Sequence, residues 1–179
     1  MQDVPVLIIS GPVGVGKTSV VLEIADLLVP AGVRHAVVDL DALTWCFPRP
    51  ADDRFHQQLG LRNLAAIWQS YRAAGAERLV IARVVSSRSA LDAYRAAVPG
   101  AVITVVRLRA SPETLQRRVA HREIGLARAK SLHRTLELAA ELEQARAEDH
   151  VVDTDGRSVT EVARAVLAVA GWWPTEPKA

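Results

Sequence analysis

Residues 11–18 read Gly-Pro-Val-Gly-Val-Gly-Lys-Thr, the spacing G-x-x-x-x-G-K-[ST]. This octapeptide works only as the turn between a buried strand and a helix, so it constrains the fold before anything else does. Its glycines let backbone N–H groups turn inward and come close to a polyphosphate. Lys17 brings a point charge to the outer phosphates, and the Thr18 hydroxyl can ligate Mg²⁺. The helix that follows aims its positive dipole end at the same anion. The flanks agree with this arrangement. Val6-Leu7-Ile8-Ile9 is a short apolar, β-branched run suited to a buried first strand. Residues 18–28 read as an amphipathic helix with Val21, Leu22, Ala25 and Leu28 on one face. Nucleotide phosphates are therefore expected on Gly11, Val13, Gly14, Val15, Gly16, Lys17, Thr18 and Ser19.

The chain has 179 residues, half of them apolar, which suits a single domain over 1–179 with a sizeable core. A formal net charge of +2 is too small to argue for nucleic acid. Lys17, Lys130 and Lys178 are the only lysines, so 19 of the 22 basic residues are arginine. Arginine suits a bidentate grip on phosphate or carboxylate, although source composition gives the same bias. One cysteine, Cys46, excludes an internal disulfide and any multi-cysteine zinc site, and it reads as a buried apolar residue. No apolar stretch approaches a membrane span, and no signal peptide precedes the first strand. The expectation is a soluble cytoplasmic protein, a monomer or homodimer, with neither nucleic acid nor membrane as partner.

Five apolar runs, 6–9, 36–38, 79–85, 102–106 and 150–152, alternate with segments of helical character. That alternation predicts an α/β fold with a five-stranded parallel sheet between two helical layers. Ligands collect at the C-terminal strand edges of such sheets. The segments to inspect are therefore those that follow each run. A helix is expected over 55–74, and a long helical stretch over 112–147 divided near Gly125. Trp172 and Trp173 are expected to pack on the body, ahead of a loosely held tail.

The second run ends in Val37-Val38-Asp39-Leu40-Asp41. If the second strand lies near the first, these acids face the phosphate loop. Phosphoryl transfer needs an in-line acceptor oxygen, often a base for its proton, and Mg²⁺ held by one or two carboxylates. Asp41 is the better candidate for the base. Asp39 either binds metal or holds Asp41 in place. The competing reading is a helix N-cap before Ala42.

Loop and acidic pair together resemble the small P-loop kinases of metabolites and antibiotics: adenylylsulfate, gluconate and shikimate kinases, and especially chloramphenicol phosphotransferase. Asp39-Leu40-Asp41 is similar to the Asp-Gly-Asp of adenylylsulfate kinases. Asp41-Ala42-Leu43 with Pro48 reproduces the spacing of the chloramphenicol enzymes, whose aspartate is regarded as the base that activates the acceptor hydroxyl. The resemblance implies a three-layer P-loop NTPase fold, ATP with Mg²⁺, and a hydroxyl-bearing small molecule as acceptor. It also implies a helical lid over about 111–147.

In Leu115 to Gly125, Arg118 and Arg122 are four apart and share a helix face. The layout resembles the lid of these kinases, whose arginines close over the phosphates. A solvated helix is the alternative, since Glu113 lies four before Arg117 and Glu123 flanks Arg122. Arg117 and Arg128 are even choices, and His121 reads as a surface residue. Asp155, Gly156 and Arg157 follow the fifth run, where the kinases named contact adenine. A simple turn and N-cap use the same residue types.

The third run lacks a Walker B aspartate, and Arg83 stands in its middle. An unpaired buried arginine is improbable. Arg83 therefore pairs with Asp39 or Asp41, or reaches an anionic group of the acceptor. Ser86, Ser87 and Arg88 are further candidates for substrate contact. Trp45 and Phe47 are expected to line the acceptor pocket, with Trp68 and Tyr71 beneath. A GTP switch is excluded, because Asn63, the only asparagine, is followed by Leu64 and so cannot form Asn-Lys-x-Asp. An ATP-binding regulatory module without transfer chemistry and a nucleotide monophosphate kinase stay as alternatives.

Overall fold

A computed structural model describes residues 3–53, 55–122 and 127–173, with side chains for all of these but 121, 122 and 127–132. Five strands form one sheet: β1 (Val4–Ser10), β2 (His35–Asp39), β3 (Arg78–Ala82), β4 (Ala101–Arg109) and β5 (His150–Asp153). Their order is β2-β3-β1-β4-β5, and every pairing is parallel. β1 is central and covered on both faces, which is why its sequence is continuously apolar rather than alternating. Leu7 and Ile9 pack under α1 (Lys17–Leu28) and α6 (Val159–Val169). Val6 and Ile8 pack on the opposite layer, under α2 (Gln57–Ala73) and α3 (Leu91–Ala97). All five predicted strands are present, and the three-layer α/β/α architecture is the expected one.

β2 lies near β1 with β3 between them. Two local expectations are corrected. β3 ends at Ala82, so Arg83 stands just past the strand rather than inside it; only its N–H continues the ladder, donating to the Ile9 carbonyl at 3.1 Å. On α1 the buried face is Lys17, Val20, Val21, Ile24 and Leu28, while Leu22 is exposed. With the helix starting at Lys17, that set follows the i, i+3/i+4, i+7, i+11 stripe, and Leu22 falls off it.

Two helices rise from the end of β4: α4 (Pro112–Arg122) and α5 (Ala127–Ala145). Gly125, the expected divider, lies outside the described residues. α4 is seated through buried Leu115 and Val119, and α5 through Leu138 and Leu142. Trp172 is buried beneath the Arg78 guanidinium, which sits 5.2 Å from its ring centroid, whereas Trp173 is exposed. Residues 174–179 lie outside the described part. No helix among the described residues is long and apolar enough to cross a membrane.

Candidate active site

The loop between β1 and α1 makes the turn its glycines permit. Gly11, Gly14 and Gly16 have φ of 140°, 80° and 107°, backbone that L side chains rarely adopt. Space enforces two of the three. A Cβ on Gly11 would lie 2.7 Å from the Leu108 carbonyl oxygen, and one on Gly14 would lie 2.8 Å from Val119 Cγ2. The loop is thus pressed between β4 and α4. Lys17 opens α1 and is only 9% exposed. Its Nζ donates to the carbonyls of Gly11 (2.9 Å) and Pro12 (3.2 Å), which arches the side chain back over its own loop.

The acids after β2 enter the same cleft. Thr18 Oγ1 donates to Asp39 Oδ2 at 2.6 Å. Asp39 Oδ1 accepts the Asp41 N–H at 3.0 Å. Asp41 begins a short 3₁₀ turn (Ala42–Thr44), yet its side chain makes no capping hydrogen bond. The N-cap reading therefore fails for the carboxylate. That carboxylate meets Arg83 instead, with Nη1 to Oδ1 at 2.5 Å. Arg83 Nη2 also donates to the Phe55 carbonyl at 3.4 Å. Beneath Arg83 lies Tyr94 of α3, whose phenol burial pushes up to about 12 while Arg83 pulls it down.

On the opposite wall, Arg118 of α4 donates through Nη1 to the Val15 carbonyl and to Thr154 Oγ1, both at 3.0 Å, and through Nη2 to the Thr154 carbonyl at 3.3 Å. Asp155 accepts the Ser111 N–H at 2.7 Å. Burial alone would raise its carboxyl. The Ser111 amide and hydroxyl, the Thr114 hydroxyl and the Arg118 charge outweigh that and hold it below the usual range. Gly156 turns the chain with φ of 67°, and Arg157 donates to the Asp153 and Glu161 carbonyls. Between these walls is a cavity of about 550 Å³, lined by residues 13–20, Asp39, Asp41, Ala42, Trp45, Arg118, Thr154, Arg157, Val159 and Val162. That volume suits a small-molecule ligand.

A nucleotide triphosphate and Mg²⁺ fit this set. The glycine backbone and Lys17 supply donors to phosphate. Thr18 and Asp39 supply one hydroxyl and one carboxylate, and Mg²⁺ bound partly through phosphate and water needs little more from the protein. Among the described residues no group of three or more His, Cys, Asp or Glu forms an all-protein metal cage.

Solved structures match the whole architecture. A gluconokinase from Sinorhizobium meliloti 1021 is 24% identical, covers 97% of this chain and 95% of its own, and superposes with a TM-score of 0.62. An adenylylsulfate (APS) kinase from Mycobacterium tuberculosis in complex with AMPPNP and APS is 22% identical over 96% and 99%, with a TM-score of 0.65. The tunicamycin resistance protein of Deinococcus radiodurans is 18% identical over 94% and 96%, with a TM-score of 0.64. The chain has the P-loop small-molecule kinase fold. No family model and no curated protein matches the sequence itself.

Within this P-loop kinase fold the expected site residues divide cleanly. Loop residues 13–19, Asp39, Asp41, Trp45, Arg118 and Arg157 share the cleft, whereas Gly11 lies against Leu108 and does not line it. Asp155 and Gly156 sit at its edge as turn residues. Arg83 stands behind Asp41. Arg88 is directed elsewhere, donating to Asp149 Oδ1 (2.8 Å) and the Glu148 carbonyl (2.9 Å). Phe47 does not line the cavity; it is exposed, and the Arg49 guanidinium lies 5.0 Å from its ring centroid. Trp68 and Tyr71 are not beneath an acceptor pocket. α2 has carried them to the opposite edge of the sheet, Trp68 beside Val4 and Arg78, Tyr71 beside Val33 and Val37. Cys46 is exposed rather than buried. The side chains of Arg122, His121 and Arg128 lie outside the described ones.

Sequence reasoning missed Thr154, Tyr94, Val159 and Val162. Thr154 had one available signal: a hydroxyl directly after the fifth strand, between two acids. Tyr94 gave none, because its pairing with Arg83 is wholly tertiary.

Proposed function

We propose that this chain is an ATP-dependent phosphotransferase that moves the γ-phosphoryl of ATP to a hydroxyl of a small molecule. The observation that carries this reading is the junction of two motifs in one cleft: Thr18 hydrogen-bonded to Asp39 at 2.6 Å, with Asp41 two residues on lining the same cavity. The loop amides and Lys17 hold the triphosphate and stabilise charge on the transferring group. Thr18 and Asp39 hold Mg²⁺, which when bound neutralises phosphate charge. Asp41 accepts the proton of the acceptor hydroxyl as that oxygen bonds to the γ-phosphorus. The bond to the β–γ bridging oxygen breaks, and ADP leaves. Arg118, and Arg122 beyond it, act from the helical arm as a lid. Residues 155–157 with Val159 and Val162 form the adenine side. Trp45, 77% exposed and too solvated for a core role, offers its face to the acceptor body. Gluconate, adenylylsulfate and shikimate, the acceptors of proteins sharing this fold, are forms the acceptor could take.

Asp41→Asn tests this. ATP-Mg²⁺ binding, measured by calorimetry, should be retained, and acceptor-dependent ADP release should fall about 10²-fold or more. Unchanged turnover rejects Asp41 as base. ATP binding without acceptor-dependent ADP release would leave a regulatory nucleotide-binding module, the reading that Arg83 at the Walker B position favours.

A further inference from the structure

We infer that Arg83 is a positioning residue for Asp41: it grips one carboxylate oxygen from behind and so fixes the aim of the other. This rests on the phosphotransfer reading and deepens it.

Asp41 needs such a tether. Its side chain is 50% exposed, so packing does little to select its rotamer. Its backbone is already immobile. The N–H is held by Asp39, and the carbonyl accepts from Thr44 Oγ1 at 2.7 Å and from the Thr44 N–H at 3.2 Å. Only the carboxylate is left to orient, and Oδ1 goes to Arg83 at 2.5 Å.

Arg83 is built as a fixed arm. Its N–H is in the β3–β1 ladder, and its side chain is 11% exposed. Two groups hold its head, the Phe55 carbonyl from the segment before α2 and Asp41 itself, and the buried Tyr94 phenol of α3 lies close enough to feel its charge. The Phe55 contact is locally enforced. The next residue, His56, is buried with φ of 48°, a conformation that non-glycine residues hold only when their surroundings impose it. An ion pair with one partner half in solvent adds only modest stability. Geometry is what this one supplies, because misplacing a reacting group by about 1 Å can cost 10²-fold. The two acids are also separated by it. Asp39 is turned to Thr18 and Asp41 to Arg83, so each has one assigned task.

The tether also removes Arg83 from acceptor binding, which gives the test its discrimination. Crystal structures of the native protein and of Arg83→Met, grown alike, are the first readout. The Asp41 carboxylate should move or split between rotamers in the variant; an unmoved carboxylate overturns the inference. Arg83→Gln serves if Arg83→Met does not fold. The second readout is ADP release from ATP-Mg²⁺ with gluconate, shikimate, adenylylsulfate and tunicamycin as probes. For any probe phosphorylated, Arg83→Met should lower kcat about 10- to 100-fold with KM for ATP and acceptor little changed. Arg83→Lys should recover part of the loss, and Arg83→Met should cost nothing further in an Asp41→Asn background. A raised acceptor KM at native kcat would place Arg83 on the acceptor and overturn the inference. Native activity in Asp41→Asn would remove the base assignment, while the crystallographic readout still judges the tether.

Discussion

Tyr94 is the residue whose role was least visible and whose chemistry is most exposed to test. Burial, opposed by Arg83, carries its phenol from the ordinary 10.0 to about 12. The folded state thus keeps a proton that the unfolded chain releases above pH 10, and stability must fall as pH rises from 10 to 12. Two pH units correspond to roughly 3 kcal/mol at full effect. Denaturant titrations at pH 9, 10, 11 and 12 should show that extra decline in the native protein and not in Tyr94→Phe. Equal slopes in the two proteins would mean the phenol is not held neutral. Legibility at single positions follows the same division. Gly11, Lys17 and Thr18 could be read because their roles follow from the local turn. Asp39 could be read because two acids at a strand end are costly without a purpose. Arg83 was legible as a residue in need of a partner, but which acid it meets is settled only by the packing of α3 and the segment before α2. Cys46 misled because the usual burial of lone cysteine does not hold on a short exposed loop.

Among the elements, β1 with its loop and α1 was readable nearly residue by residue, since a phosphate loop demands both flanks. The sheet order was not. Apolar runs announce strands without saying which ones pair, so nothing in them placed β3 between β2 and β1. The end of β3 was misjudged for a related reason. Val84 and Val85 continue the β-branched pattern, but the Val85 N–H leaves the ladder for Ser10 Oγ at 3.0 Å. Substitutions at two positions, Gly11 and Ser158, probe the turns that lead into α1 and α6. Gly11→Ala combines φ of 140° with a 2.7 Å approach to a backbone oxygen that cannot yield. It should destabilise by about 2 kcal/mol or more, seen as a lower denaturation midpoint. Ser158 starts α6 with a full capping box: its hydroxyl accepts the Glu161 N–H, and the Glu161 carboxylate accepts the Ser158 N–H at 2.7 Å. Ser158→Ala should cost about 1 kcal/mol, and Ser158→Asp much less.

For the molecule as a whole, the helical arm is tied to the sheet by charge as well as by leucines. Arg107 near the end of β4 is almost wholly buried, 2.8 Å from Glu143 on α5 and 3.0 Å from Glu148, the latter a charge contact rather than a hydrogen bond. Arg107→Met would strand the buried Glu148 carboxylate. A loss of about 3 kcal/mol is expected, and adding Glu148→Gln should relieve part of it. Additive losses in that double mutant would show that the two do not act as a pair. Arg118 carries a different consequence. One guanidinium clasps Val15 in the phosphate loop and Thr154 beyond β5, so neither segment can shift without pulling the other. An occupant settling against the loop should therefore be felt two strands away, and hydrogen exchange at the amides of 155–157 should slow when ATP-Mg²⁺ is added. Cutting the clasp with Arg118→Met should shrink that slowing to the part that direct contact with the nucleotide supplies, so that the far rim no longer answers to the phosphate loop.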